Sequence, residues 1–163
     1  MRLTTLLLGA VLFASSCGGS SDPNELTTSG ERALASQDFA TAEADFASAL
    51  AAIGDNASDP LYMRAKLGSI EARAGDDPAA VVTELIALAA GGKVSDRDFN
   101  RIAGRLGDSK HFADATKLLA EAKKLFPDAS HLDTLGAKLA ADATKAGDSD
   151  AIDALAGLGY VGE

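Results

Sequence analysis

The chain has 163 residues, with 24 acidic and 15 basic side chains, a net charge of −9, 47% apolar and 5% aromatic residues, no Trp and one Cys. That length allows one ordinary domain and not two, and the negative balance opposes binding nucleic acid or an anionic lipid surface through bulk charge. Ala and Leu, the strongest helix formers, dominate the apolar residues, so an all-α chain is expected.

Met1-Arg2 opens with a single positive charge, and the eleven residues from Leu3 to Phe13 are predominantly apolar. This reads as a secretory signal over residues 1–16, too short for the ~20 residues of a membrane span. Ala14-Ser15-Ser16 ahead of Cys17 resembles the lipobox of bacterial lipoproteins, with Ala14 standing where Leu is commonest. The resemblance implies that Cys17 is lipidated and becomes the mature N-terminus. Ala14 and Ser16 would also suit ordinary signal peptidase, which would release a free secreted protein. Cys17 has no second cysteine to pair with. Residues 17–23 then form the lipidated Cys and a flexible Gly/Ser tether, reaching at most ~25 Å and keeping the body close to the membrane. Gly18 lacks the Asp associated with inner-membrane retention in enterobacterial lipoproteins. The expected location is the cell envelope, at the outer membrane and facing the periplasm.

Residues 24–163 read as helix pairs. Leu26, Gly30, Ala33 and Leu34 form one apolar stripe, and Phe39, Ala42, Phe46, Ala49, Leu50 and Ile53 form a second. The polar break Ser36-Gln37-Asp38 between them includes a helix-capping residue. A capped loop over 55–60 leads to a third helix over 61–74 and a fourth over 77–90, with Pro78 in its first turn. Gly91-Gly92 ends that helix, and Ser95, Asp96 and Asp98 supply caps for a fifth that runs to Leu106. A sixth, 110–126, places Phe112, Ala115, Leu118, Leu119, Ala122, Leu125 and Phe126 on one side before Pro127 stops it. A seventh over 130–146 carries Leu132, Leu135, Leu139 and Ala143, and a short eighth spans 150–158.

The design recurs along the chain. Gly30, Asp38, Ala42 and Ala49 return 38 residues on as Gly68, Asp76, Ala80 and Ala87. Phe39, Ala42, Phe46 and Ala49 return 73 residues on as Phe112, Ala115, Leu119 and Ala122. At these residues the sequence resembles the tetratricopeptide repeat (TPR) family, over roughly Asn24 to Leu158. The resemblance implies a right-handed α-solenoid of about four TPR-like helix pairs, the last acting as a cap. The second unit departs from the family pattern, with Asp77-Pro78 and Glu84 where aromatics are expected.

In that family the first helix of each pair lines a concave groove. Arg97, Arg101 and Arg105, spaced by four, would form a basic stripe there, able to hold a carboxylate bidentately. The same register turns Glu31, Tyr62, Ser69 and Arg73 toward the groove and puts Asn100 beside the stripe. The simpler alternative is a solvated face balanced by Asp96, Asp98 and Asp108.

Other motifs carry less chemistry. Gly157-Leu158-Gly159-Tyr160-Val161-Gly162 spells the dinucleotide fingerprint, but a helix precedes it and only Glu163 follows. The stretch Leu155 to Gly162 also resembles a segment near the ends of bacterial sulfatase domains, without that family's nucleophile motif. His111 and His131 lack metal-ligand spacing and are expected to face solvent, and Asp148, Asp150 and Asp153 read as helix caps. No catalytic residue, metal or cofactor is expected, and no small-molecule substrate.

These readings lead to a lipid-anchored adaptor or scaffold that binds a protein or peptide partner at the bacterial envelope. A structural subunit of an envelope or outer-membrane assembly complex is the alternative, and a periplasmic hydrolase a third.

Overall fold

The computed structural model describes residues 22–161; the expected signal sequence, Cys17 and most of the expected tether lie outside the described residues. Eight α-helices follow one another: α1 (Pro23–Ala35), α2 (Phe39–Ile53), α3 (Pro60–Ala72), α4 (Pro78–Ala90), α5 (Asp96–Asp108), α6 (Phe112–Leu125), α7 (Ser130–Ala146) and α8 (Ser149–Gly157). A 3₁₀ turn, Arg73–Gly75, extends α3, and no strand occurs among the described residues. The chain is all-α.

Local chemistry accounts for the helix ends. Side chains of Asp22, Asp38, Asp59, Asp77, Ser95 and Asp148 accept from backbone N–H groups that open α1, α2, α3, α4, α5 and α8. Ser95 and Asp98 complete a reciprocal capping box. Pro23, Pro60 and Pro78 occupy first helical positions, where no N–H is missed. Phe126, held out of the helical region ahead of Pro127, ends α6 one residue earlier than its apolar pattern suggests.

Outside α4, substantial packing joins the helices mostly to those one or two places along the chain. α1, α2 and α3 pack mutually, α3 meets α5, α5 meets α7, and α6 touches α4, α5, α7 and α8. α4 is the irregular member, resting on α3 and α6 more than on its successor α5. Two apolar cores result. The first gathers Ala33, Ala42, Phe46, Ala49, Ala65 and Ala72; the second runs from Leu67 and Ile70 through Phe99, Ile102 and Leu119 to Leu139 and Leu155. α3 faces both, with Ala65 and Ala72 in one and Leu67 and Ile70 in the other.

The first core is organised by one ring. Phe46 is fully buried between Gly30 of α1 and Gly68 of α3. A Cβ at Gly30 would lie 2.9 Å from the ring, and one at Gly68 would lie 2.3 Å away. The two glycines that recur 38 residues apart thus clear space for the same end of one aromatic ring.

In the second pair the repeat slips by one residue. The side chain that caps α4 is Asp77 rather than Asp76, and its buried stripe is Val81, Val82 and Leu85. Ala87 is exposed and Ala80 only half-buried. Counting from the cap, Val81 and Leu85 stand where Ala42 and Phe46 stand in α2, and the 3₁₀ turn takes up the extra residue. Glu84, which reads as a departure when counted from Gly68, lies beside the stripe. Burial pushes its carboxyl up, but hydrogen bonds from Arg73 and Lys66 outweigh this and hold it below the usual range.

Two expectations need correcting. Leu125 is 46% exposed, because α6 ends there and the chain turns away. His111 does not face solvent: it sits at the start of α6 with Nε2 3.0 Å from the Gly75 carbonyl, pinning the 3₁₀ turn to α6. His131 is half-buried, with a sealed Nε2 3.6 Å from Asp96 Oδ2.

Candidate functional site

Three odd-numbered helices in succession line one cavity of about 280 Å³. Its wall is Glu31 and Leu34 from α1, Arg64, Leu67 and Gly68 from α3, and Asp98 and Arg101 from α5. Leu34, Leu67 and the bare backbone of Gly68 give it an apolar floor, and four charged side chains form the rim. Gly68 therefore does two things: it clears the Phe46 ring and lowers the floor.

The rim charges are already paired. Arg64 presents its guanidinium fork to both oxygens of Glu31. That hydrogen bond holds Arg64 above the ordinary arginine range. Arg101 pairs with Glu71 of α3, whose side chain is largely buried, and lies 3.4 Å from Asp98. Desolvation pulls Arg101 below the ordinary range, against the attraction of Glu31. The Glu31–Arg64 and Glu71–Arg101 pairs hold α1 to α3 and α3 to α5, while Asp98 braces Arg101 within α5. Being partly exposed, each contributes at most about 1 kcal/mol.

The eight residues expected in the groove divide accordingly. Glu31 and Arg101 line the cavity. Arg97 is exposed and has no ion partner among the described residues, while Tyr62 and Asn100 are half-buried outside the lining. Ser69 is 8% exposed, so it is sealed in the body. Arg73 points at α4, where its guanidinium donates to both Glu84 oxygens at 3.1 and 2.9 Å. Ser69 occupies the place in the repeat that Glu31 occupies in α1, but α3 has neighbours on both flanks and α1 on only one. The basic stripe does not face one way either. Arg101 reaches α3, whereas Arg105 lays its guanidinium carbon 3.5 Å from the centroid of the Phe39 ring.

Sequence reasoning missed Leu34, Arg64, Leu67, Gly68 and Asp98 as lining residues. The signal was present: Arg64, Leu67, Gly68 and Glu71 step by three and four along one face of α3.

Arg105 ties the start of α2 to the end of α5, and its Nε is buried without a hydrogen-bond partner. Arg105→Ala is expected to cost about 0.5–2 kcal/mol through the lost cation–π contact. A Phe39→Leu variant should remove most of the same energy, and the pair should be non-additive in a denaturant-melt double-mutant cycle.

Among the described residues no cluster of His, Cys, Asp or Glu is arranged to hold a metal ion, and no helix is long and apolar enough to cross a membrane. A larger hollow of about 550 Å³ lies along the polar side of α1, beside Glu25, Arg32 and Asp45. No family model, curated protein or solved structure matches the chain.

The glycine-rich tail serves the helix end. Gly159, at φ +85°, lets the Tyr160 N–H turn back to the Leu155 carbonyl at 3.0 Å, closing α8. The Tyr160 hydroxyl donates to Asp133 Oδ1 at 3.0 Å, and Lys123 Nζ meets the same oxygen at 2.9 Å. Hydrogen bonds from Lys123 and then Tyr160 hold the Asp133 carboxyl below its ordinary range. A lowered carboxylate pKa gives stabilisation that is complete above the unfolded value of about 4 and lost as pH falls through the folded value. The Tyr160 side-chain NMR resonances are therefore expected to move below about pH 4, and Asp133→Asn should abolish that transition.

Proposed function

We propose that the protein is a lipid-anchored, TPR-like adaptor that binds a protein or peptide partner at the bacterial cell envelope. In this reading the eight helices form a right-handed solenoid of four pairs, and Cys17 carries the acyl chains that hold it at the outer membrane facing the periplasm. The observation that carries the reading is the cavity shared by α1, α3 and α5, where alternate helices build one apolar-floored concavity. A floor of Leu34, Leu67 and Gly68 accepts an apolar side chain of an extended segment. The paired charges on the rim favour neither sign of partner strongly; Glu31 and Arg64 instead act together, accepting from and donating to the backbone of the segment laid across the floor. Binding needs no cofactor and involves no catalysis. Support for the anchor comes from the N-terminal sequence: an apolar stretch, small residues and a lone Cys17 in order.

The test is capture from intact envelopes with wild type, Cys17→Ser and a Glu31→Ala/Arg64→Ala pair, alongside membrane fractionation. Wild type should fractionate with membranes and capture a partner. Cys17→Ser should become soluble, and the rim variant, still folded and membrane-bound, should lose most of its capture. A partner retained fully by the rim variant would place binding on another face and favour the assembly-subunit reading.

A further inference from the structure

We propose that the C-terminal strap Leu158–Val161 is a displaceable plug, and that the slot it fills on α7 receives a tyrosine-bearing extended segment of a partner protein. The inference stands apart from the groove described above, because the slot lies at the other end of the chain and shares no residue with it.

The slot is built for an aromatic ring. Gly136 on α7 has no side chain, and a Cβ there would lie 2.4 Å from Cε1 and Cζ of Tyr160. The arrangement repeats at the far end of the molecule the seating of Phe46 on Gly30 and Gly68. The difference lies in what holds the ring. Phe46 is fully buried and comes from the middle of a helix, whereas Tyr160 is half-buried and comes from a few residues beyond α8.

The strap is held by a few side-chain contacts at its tip. Its backbone bonds run back to α8 itself, from the N–H groups of Gly159 and Tyr160 to the carbonyls of Ala156 and Leu155. Onto the body it lays the Tyr160 ring and the partly buried Val161, with one phenol hydrogen bond to Asp133 of α7. Leu158 is 38% exposed, and a hollow of about 410 Å³ remains beside Lys123, Asp133 and the strap. The hollow is bounded on one side by the strap itself, so an incoming segment has a path to Asp133 beside the ring.

Its chemistry specifies what could replace the strap. A flat contact on glycine backbone selects an aromatic ring. Asp133, oriented by Lys123, supplies an acceptor at the ring's far end, which favours tyrosine over phenylalanine. The strap competes as a tethered ligand at an effective concentration of the order of millimolar, so an external segment binds weakly until the strap is released.

The probe is a synthetic peptide of residues 155–163, titrated by fluorescence anisotropy into the full chain and into a chain ended at Gly157. The shortened chain should bind it at least tenfold more tightly than the full chain. Changing the peptide tyrosine to Phe should weaken binding several-fold, and changing it to Ala should abolish it. Gly136→Ala in the shortened chain should also abolish it. Equal affinity for both chains, or no binding by a folded shortened chain, would overturn the proposal. So would a shortened chain that has lost its helix, because the strap would then be a required part of the fold. In the intact protein, the Tyr160 amide should exchange with solvent at least a hundredfold faster than the amides of Leu135 and Leu139. Equal protection would contradict displacement.

Discussion

Gly68→Ala is expected to destabilise the protein by about 1–3 kcal/mol or more, the usual range for forcing extra volume into a packed core. The added methyl would stand 2.3 Å from Cζ of a phenylalanine that has no exposed surface and no room to turn. The penalty should exceed that of Gly30→Ala, whose methyl would stop 2.9 Å from the same ring. Gly104→Ala supplies the contrast. It is also helical, but the nearest atom to its added Cβ is Leu135 Cδ1 at 3.7 Å, an ordinary contact. There the gain in helix propensity operates alone, and stability should rise by about 0.5–1 kcal/mol. Chemical denaturation of the three variants reads both signs. Phe46→Leu placed in the Gly68→Ala background should recover part of the loss, because the two changes act on the same space.

Leu85→Ala is expected to cost about 2–5 kcal/mol, the range for truncating a fully buried leucine. Leu85 has no exposed surface and lies where α4 presses into the larger core. This variant tests the one-residue slip in the second pair. Counting forward from Gly68, Ala87 falls on the buried stripe; counting from the Asp77 cap, Leu85 and Leu88 do. Ala87→Ser should therefore shift stability by no more than about 0.5 kcal/mol, as surface changes do. A large loss at Ala87 with a small one at Leu85 would restore the uninterrupted 38-residue register.

The slip also explains where the sequence was readable and where it was not. Helix number and most helix ends follow from strong local chemistry: an Asp or Ser cap, a proline in the first turn, and apolar residues stepping by three and four. Those signals are carried within a few residues, so they survive an insertion. The register between helices is not local. An extra residue in the 3₁₀ turn Arg73–Gly75 leaves α3 in phase and moves α4 out of it; Pro78 marks Asp77 as the cap, but the repeat counted from Gly68 points to Asp76. The arginine stripe was obscured for a related reason. Arg97, Arg101 and Arg105 share a spacing but rotate around α5 by about 40° at each step. Over two steps they reach solvent, the rim of the cavity and the Phe39 ring in turn. Which carboxylate meets which arginine depends on helices brought together from far along the chain. Glu31 meeting Arg64 and Glu71 meeting Arg101 could not be read from spacing alone.

The tail shows the reverse. Its glycines spell a nucleotide motif, yet Gly159 serves as a left-handed helix stop and Gly136, far upstream, receives the ring that follows. The residues were visible; the contact that gives them meaning was not.

The proposed partner-binding site is the cavity across α1, α3 and α5. Site-specific photocrosslinking in intact envelopes tests this, with a photo-leucine placed at Leu34 in the cavity lining or at Thr83 on the exposed side of α4. A discrete crosslinked partner is expected from position 34 and none from position 83. A partner captured from position 83 alone would contradict it, and would make the outer helices the working surface.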